Sequence, residues 1–262
     1  MRKSSRAMKS LSRRSKNRIS RLDPAAAKQA IRLKIWSEME KRGVAAFPKP
    51  VYGRIPNFNG AEDAANLLRK SKTYAQAEKV KVNPDSPQRP VRKMVLQDGK
   101  LLVFPSPRIS KGLYVLDPRK ITCRELDRAS TIEGAFRYGV PTHPKDLPKI
   151  DLVVTGSVAV SPSGWRVGKG EGYSEIEYAI LRTFGKVDED TSVVTTIHDI
   201  QLVEGIPAEP FDVPIDKIFT NTKVITCPAN EKPRGILWRY ISEEKIRSIP
   251  LLSELRAGVS LA

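Results

Sequence analysis

The chain has 262 residues, 40% hydrophobic and 29% charged, and is long enough to bury a sizeable core. It contains no run of about 18 apolar residues, so no membrane-spanning helix is expected. Its two cysteines lack the spacing of a metal site, and no secretory segment is recognisable, which predicts a reduced, cytoplasmic protein.

The net charge of +17 is concentrated at the N-terminus. Residues 1–22 contain nine Lys or Arg residues and no acid, which leaves +8 (17 less 9) for residues 23–262. A segment this basic and this poor in large apolar side chains is predicted to be a disordered tail. Three interpretations remain open: a solvated tail, with Met8 as an alternative start; an arm that contacts nucleic acid without sequence preference; or a transit peptide.

A single folded domain is predicted over residues 23–262. Asp23 and Pro24 are typical of a helix start, and Gly43 is typical of its end. On this helix Lys28 and Arg32 are four residues apart, so their side chains project from one face.

Strands and helices are predicted to alternate along the rest of the chain. Predicted strands cover residues 79–82, 100–104, 113–116, 151–160, 192–197 and 217–225, and predicted helices cover 61–69, 74–77, 90–97, 125–136, 173–184 and 242–249. This alternation predicts an α/β fold, a three-layer, doubly wound, mainly parallel sheet with helices on both faces. Ligands of such folds bind beyond the carboxyl ends of the strands.

The segment of residues 164–175 has the most informative pattern. Its glycines alternate at Gly168, Gly170 and Gly172, and Arg166 and Lys169 add positive charge. Glycines let the backbone approach an anion closely, and the helix predicted to follow would direct its positive end there. The spacing differs from that of P-loops and dinucleotide-binding motifs. The pattern therefore indicates a phosphate site, with a plain tight turn as the alternative.

Three motifs in this order resemble the 5-formyltetrahydrofolate cyclo-ligase family over roughly residues 24–225. The nearest likeness is to a divergent branch, the methenyltetrahydrofolate synthetase domain-containing proteins and their archaeal relatives. The first motif is the pair Lys28 and Arg32. The second, residues 164–175, matches the family pattern Gly-x-Arg-hydrophobic-Gly-x-Gly-x-Gly-Tyr-Tyr-Asp. The third comprises Gln201, Pro207, Asp212 and Asp216 before Thr220.

The resemblance implies an ATP- and Mg²⁺-dependent ligase. Its members convert 5-formyltetrahydrofolate to 5,10-methenyltetrahydrofolate and release ADP and phosphate, and a related reduced pterin is an alternative substrate here. The implied ATP-binding residues are Lys28, Arg32, Arg166, Gly168, Lys169, Gly170, Gly172 and Tyr173. Lys28, Arg166 and Asp212 are the expected catalytic residues, and Glu175 and Asp212 the expected metal ligands. On the folate side, the resemblance implies Asp85, Gln88 and Tyr138.

The chain departs from the family pattern at three places. Ser174 and Glu175 replace Tyr and Asp, and the sequence of residues 156–160 differs from the usual folate-contacting stretch. A shifted substrate, such as a modified pterin, is one consequence. The other hypothesis is a non-catalytic nucleotide- or RNA-binding protein on the same scaffold, which the basic tail favours.

Overall fold

The computed structural model describes residues 23–258, so the predicted tail of residues 1–22 lies outside the described residues. The helices are α1 (Pro24–Lys41), α2 (Ala61–Arg69), α3 (Lys72–Gln76), α4 (Arg89–Gln97), α5 (Leu126–Ala129), α6 (Ile132–Tyr138), α7 (Tyr173–Thr183), α8 (Glu243–Ser248) and α9 (Pro250–Arg256). The strands are β1 (Lys79–Val82), β2 (Leu101–Pro105), β3 (Leu113–Leu116), β4 (Val140–Thr142), β5 (Leu152–Thr155), β6 (Ala159–Val160), β7 (Arg166–Val167), β8 (Ser192–Ile197), β9 (Lys217–Thr220) and β10 (Val224–Thr226).

Eight strands form one sheet in the order β10-β9-β8-β5-β1-β2-β3-β4, and β6 and β7 form a separate small sheet. The five central strands from β9 to β2 run parallel, and antiparallel strands extend the sheet at both edges. From β1 the chain adds β2 on one side and later β5 on the other. This reversal of winding direction between β1 and β5 is where doubly wound folds bind ligands.

Helices cover both faces of the sheet, as predicted. Val80 and Val82 of β1 pack with α4 in one buried cluster, whereas Val153 of β5 packs with Tyr178 and Leu181 of α7 in another. Alternate residues of a strand point to opposite faces, so β5 places Leu152 and Val154 in the first cluster and Val153 in the second. The predicted fold class is confirmed. Within residues 23–258, no helix is both long and apolar enough to span a bilayer.

Two of the predicted strands are wrong in extent. Residues 151–160 were expected to form one strand, but β5 ends at Thr155 and residues 159–160 belong to the small sheet. The break lies at Gly156, whose backbone packs so closely that an added Cβ would lie 2.8 Å from Gln88 Oε1. Residues 217–225 form a hairpin of β9 and β10, because the chain turns where Thr220 N donates to Lys223 O at 2.9 Å.

Candidate functional site

A cleft of about 490 Å³ opens where the winding direction of the sheet reverses. Its walls include the residues that follow β1 (83–86), the turn after β2 (107–108), Gly156 after β5, and the glycine-rich loop that leads into α7. The predicted residues Asp85, Arg166, Gly168, Lys169, Gly172, Tyr173 and Glu175 line the cleft. The carboxyl ends of neighbouring parallel strands thus bring together three distant parts of the sequence.

Each of the three alternating glycines lies against a different cation. A Cβ added at Gly168 would lie 3.3 Å from Arg166 Nη1, one at Gly170 would lie 3.3 Å from Arg32 Cζ, and one at Gly172 would lie 3.3 Å from Lys245 Nζ. Gly170 and Gly172 also have φ angles of +104° and +71°, in the region that favours glycine. Side chains on this loop would displace the cations that surround it.

Arg166 is the most deeply buried of these cations, with 4% of its surface exposed. Its Nη1 donates to Gly156 O at 2.7 Å, and its Nη2 forms an ion pair with Glu175. Its Nε has no hydrogen-bond partner among residues 23–258. A buried guanidinium with an unused N–H is suited to a further acceptor such as a phosphate oxygen.

Helix α1 contributes two cations with different surroundings. Arg32 Nε donates to Gly168 O at 2.8 Å and so attaches α1 to the loop. Lys28 is buried, and its Nζ contacts Glu209 Oε2 at 2.7 Å and Asp212 Oδ2 at 2.6 Å. Of the predicted pair of cations, Arg32 therefore binds the loop, and Lys28 belongs to an internal ion-pair cluster. Gly170 lies against Arg32 but does not itself line the cleft.

Asp212 does not line the cleft. Besides its pair with Lys28, its carboxylate accepts a hydrogen bond from Glu209 N at 2.8 Å. Burial raises the pKa of Asp212, although the hydrogen bond from Lys28 opposes that rise. In the structure Asp212 holds Lys28 rather than presenting a carboxylate to the cleft.

Glu175 is the predicted metal ligand that does line the cleft. No group of three or more His, Cys, Asp or Glu side chains that could hold a metal ion occurs in the described part of the chain. Mg²⁺ bound with a nucleotide commonly needs only one or two carboxylates, with phosphate oxygens and waters completing its shell. Glu175 fits that requirement.

The opposite wall carries acidic and amide groups. Asp85 forms no ion pair through its carboxylate within residues 23–258, and burial raises its pKa even though Lys169 and Arg92 act in the other direction. Gln88 is fully buried, with Nε2 directed to Thr196 and Oε1 lacking any hydrogen-bond partner among the described residues. Gln88 lies behind Gly156 rather than on the cleft surface.

A buried polar cluster that was not predicted from the sequence lies beneath the cleft. Lys81 of β1 is 2% exposed and forms an ion pair with Glu177 of α7. Its Nζ also donates to Asn83 Oδ1 at 2.5 Å, and Asn83 Nδ2 lies 3.4 Å from Ser174 Oγ. Burial raises the pKa of Glu177, and Lys81 counteracts this. The sequence contains no clear signal for this cluster, because β1 reads Lys-Val-Lys-Val and Lys81 has the pattern of a solvent-facing residue on a strand with one apolar face.

Tyr138 is not brought to the cleft. Its hydroxyl donates to Glu125 Oε1 at 2.5 Å, and its ring packs against the buried cluster that contains Val80 and Val82. The residues that do form an apolar rim are Pro48, Tyr52 and Ile132. Tyr52 is 44% exposed and Ile132 is 40% exposed, so both present apolar surface at the mouth of the cleft. No helix or strand is predicted from the sequence for residues 44–60, and nothing there indicated that Tyr52 reaches the cleft.

Comparison with known proteins gives a consistent result. The model of the 5-formyltetrahydrofolate cyclo-ligase family matches residues 24–221. Methenyltetrahydrofolate synthase domain-containing protein of Mus musculus is 44% identical over 236 residues, covering 88% of this chain and 63% of the relative. The Homo sapiens protein of the same name is 44% identical over 237 residues, covering 88% and 62%. The chain thus spans less than two thirds of the length of these relatives.

Among solved structures, the chain is similar to the NMR structure of Aquifex aeolicus 5,10-methenyltetrahydrofolate synthetase, with a TM-score of 0.49 and 19% identity, over 78% of this chain and 95% of that one. The match of the family model and the two relatives confirms the resemblance predicted from the motifs. This chain belongs to the 5-formyltetrahydrofolate cyclo-ligase family.

Proposed function

We propose that this chain binds ATP on the glycine-rich side of the cleft and uses it to convert 5-formyltetrahydrofolate, or a related reduced pterin, to the 5,10-methenyl form. The observation that supports this most is the contact of three alternating glycines with three cations from different elements. Such an arrangement combines close backbone approach with concentrated positive charge, which is what a triphosphate requires.

On the phosphate side, Arg166 would hold phosphate oxygens through its unpartnered Nε. Lys169, whose Nζ lies 2.6 Å from Glu171 Oε2, would exchange that partner for a phosphate. The N-terminal turn of α7, which begins at Tyr173, supplies free backbone N–H groups, and Glu175 would bind Mg²⁺. When bound, ATP would supply the phosphoryl group that activates the formyl oxygen, and Mg²⁺ would offset the charge of the phosphates. The protein's contribution is therefore mainly positioning and charge neutralisation.

On the folate side, Asp85 would accept hydrogen bonds from the pterin's amino and ring N–H groups. Asn83 lies two residues before Asp85. The side-chain oxygen of Asn83 already accepts a hydrogen bond from Lys81, so the group of Asn83 left for the ligand is its amide NH₂, a donor. The ring of Tyr52 would pack on an aromatic part of the substrate at the mouth. A donor next to an acceptor suits the mixed polar edge of a pterin.

Two measurements test the proposal. Calorimetric titration with ATP and MgCl₂ should show saturable binding, and the methenyl absorbance should rise when 5-formyltetrahydrofolate, ATP and Mg²⁺ are combined. ATP binding without turnover of 5-formyltetrahydrofolate or other reduced formyl-pterins would favour a nucleotide-binding protein. Absence of ATP binding with and without Mg²⁺ would contradict the proposal entirely.

A glycine variant tests whether ATP binding depends on the glycine-rich loop. In Gly170→Ala, the added Cβ would press on Arg32 and the φ of +104° would be strained, so ATP affinity should fall about tenfold or more. Gly185→Ala is the matched control, because its φ is +66° but no atom lies within 4 Å of the added Cβ. It should lose comparable thermal stability and keep its ATP affinity.

A further inference from the structure

A lysine beyond the family match reaches the glycine-rich loop. Lys245 lies on α8, whereas the family model ends at residue 221. Its Nζ donates to the backbone carbonyl of Glu171 and lies 5.4 Å from the centre of the Tyr173 ring. The same Nζ would lie 3.3 Å from a Cβ at Gly172. One ammonium group thus contacts three consecutive residues at the start of α7.

The position of Lys245 is fixed by packing. Ile246 and Ile249 are buried in a cluster with Ile176 and Ile180 of α7, which attaches α8 to the helix that follows the loop. The backbone N–H of Lys245 donates to Ser242 Oγ at 3.3 Å and so caps α8. Because α7 and α8 share an apolar interface, the lysine is held against the loop rather than free in solvent.

Lys245 also adds positive charge to a loop that contains an acidic residue. Glu171 lies within the loop, and an acid beside a phosphate site repels its ligand. The pKa of Glu171 is lowered: burial alone would raise it, but Lys169 and Arg108 outweigh burial, so the side chain is ionised at neutral pH. Lys169 and Arg108 both form ion pairs with Glu171, at 2.6 Å and 3.2 Å. Lys245 supplies a further cation that binds the backbone of this residue and not its carboxylate.

We propose that Lys245 is a positioning residue for the nucleoside triphosphate: it holds the glycine-rich loop through the carbonyl of Glu171 and adds positive charge at the start of α7. The inference rests on the proposed function for the class of ligand. The contact with the loop does not depend on it.

The test compares three variants of the full chain. Lys245→Met removes the charge and the hydrogen bond, Lys245→Arg keeps both, and Arg247→Met removes one charge from the exposed side of the same helix. Lys245→Met should weaken ATP binding about tenfold by calorimetry, Lys245→Arg should restore most of the affinity, and Arg247→Met should match the wild type. Thermal unfolding of all three establishes that the fold is intact.

Hydrogen exchange separates this inference from the proposed function. In the nucleotide-free protein, the amide of Ile176, which donates to Gly172 O at 3.1 Å, should exchange several-fold faster in Lys245→Met and at the wild-type rate in Arg247→Met. Unchanged exchange in Lys245→Met, or equal acceleration in Arg247→Met, overturns the proposal whatever the nucleotide result. If the wild type binds no ATP but exchange is faster in Lys245→Met alone, the positioning role is supported and only the proposed function fails.

Discussion

The two sides of the cleft differ in how their charged side chains are paired. On the loop side, Arg32, Arg166 and Lys245 lie against glycine backbone, and Arg166 keeps an unused N–H. On the strand-end side, Lys81 is paired with Glu177 beneath Asn83, and Asp85 is left without an ion pair among the described residues. The loop side is thus suited to an anion and the strand-end side to a neutral ring with polar edges.

The largest expected effect is on stability and comes from the strand-end side. Lys81→Met would leave Glu177 buried without a cation, which should reduce the free energy of unfolding by about 3–5 kcal/mol. The double variant Lys81→Met, Glu177→Leu should recover most of the loss. Lys79→Met on the same strand removes only long, partly exposed ion pairs and should cost less than about 1 kcal/mol. Chemical denaturation of the three variants measures these differences, and equal losses for Lys79 and Lys81 would contradict the buried pair's role.

Arg166 tests the loop side. Arg166→Met should lower turnover of the formyl-pterin by about 10²–10³, because it removes a charged donor where phosphate charge is expected to be held. Arg119→Met is the control, since Arg119 is exposed and, among residues 23–258, forms an ion pair only with Asp117. Steady-state assays on both variants distinguish them. Turnover at the wild-type rate in Arg166→Met would contradict a phosphate site on this side of the cleft.

Asp85 tests whether the strand-end side needs a negative charge. Burial raises its pKa above the ordinary 3.8, so the carboxylate becomes neutral at a higher pH than in an unfolded chain. Folate affinity should therefore fall, about tenfold or more, as the pH drops from neutral through that raised pKa. Asp85→Asn should bind weakly with no such pH dependence, as titrations at several pH values would show.

The raised pKa of Asp85 also predicts the direction in which the stability of the protein changes with pH. Because the folded pKa of Asp85 is raised, the stabilisation it provides is full below about pH 3.8 and is lost as the pH rises through the folded value. Asp85→Asn should thus be no less stable than the wild type at neutral pH. A marked loss of stability there would show that the carboxylate has a structural role.

The smallest expected effect concerns the aromatic rim. Tyr52→Ala should weaken folate binding by up to about tenfold, because a stacked ring contributes about 0.5–1.5 kcal/mol. Tyr138→Ala should leave folate binding unchanged, since its hydroxyl is engaged by Glu125 away from the cleft. Folate titrations on both variants measure the difference, and the reverse order of effects would restore the role predicted for Tyr138.

Most of the fold could be predicted because each element has a local signal. The bounds of the helix at 61–69 and the strand at 79–82 agree with the structure. The break at Gly156 could not be predicted, because it depends on close packing against Gln88, a residue far away in the sequence.

The residues alone indicated the candidate site only where it is one continuous motif, and Asp85 and Arg32 were implied by the family resemblance. The loop residues from Arg166 to Glu175 combine glycines, charge and helix start within 10 positions of sequence. Tertiary packing brings Tyr52 to the cleft, Lys245 to the loop and Lys81 beneath Asn83, and nothing beside them in sequence indicates a ligand. Asp212 has the expected residue type but is turned towards Lys28.

Arg32 and Lys245, far apart in the sequence, both attach to one short loop. A growing polypeptide could therefore assemble the central sheet before both contacts with the loop were made, since α8 begins 23 residues after β9 ends (243 less 220). If the proposed function holds, nucleotide binding would then require that both α1 and α8 had docked on the loop.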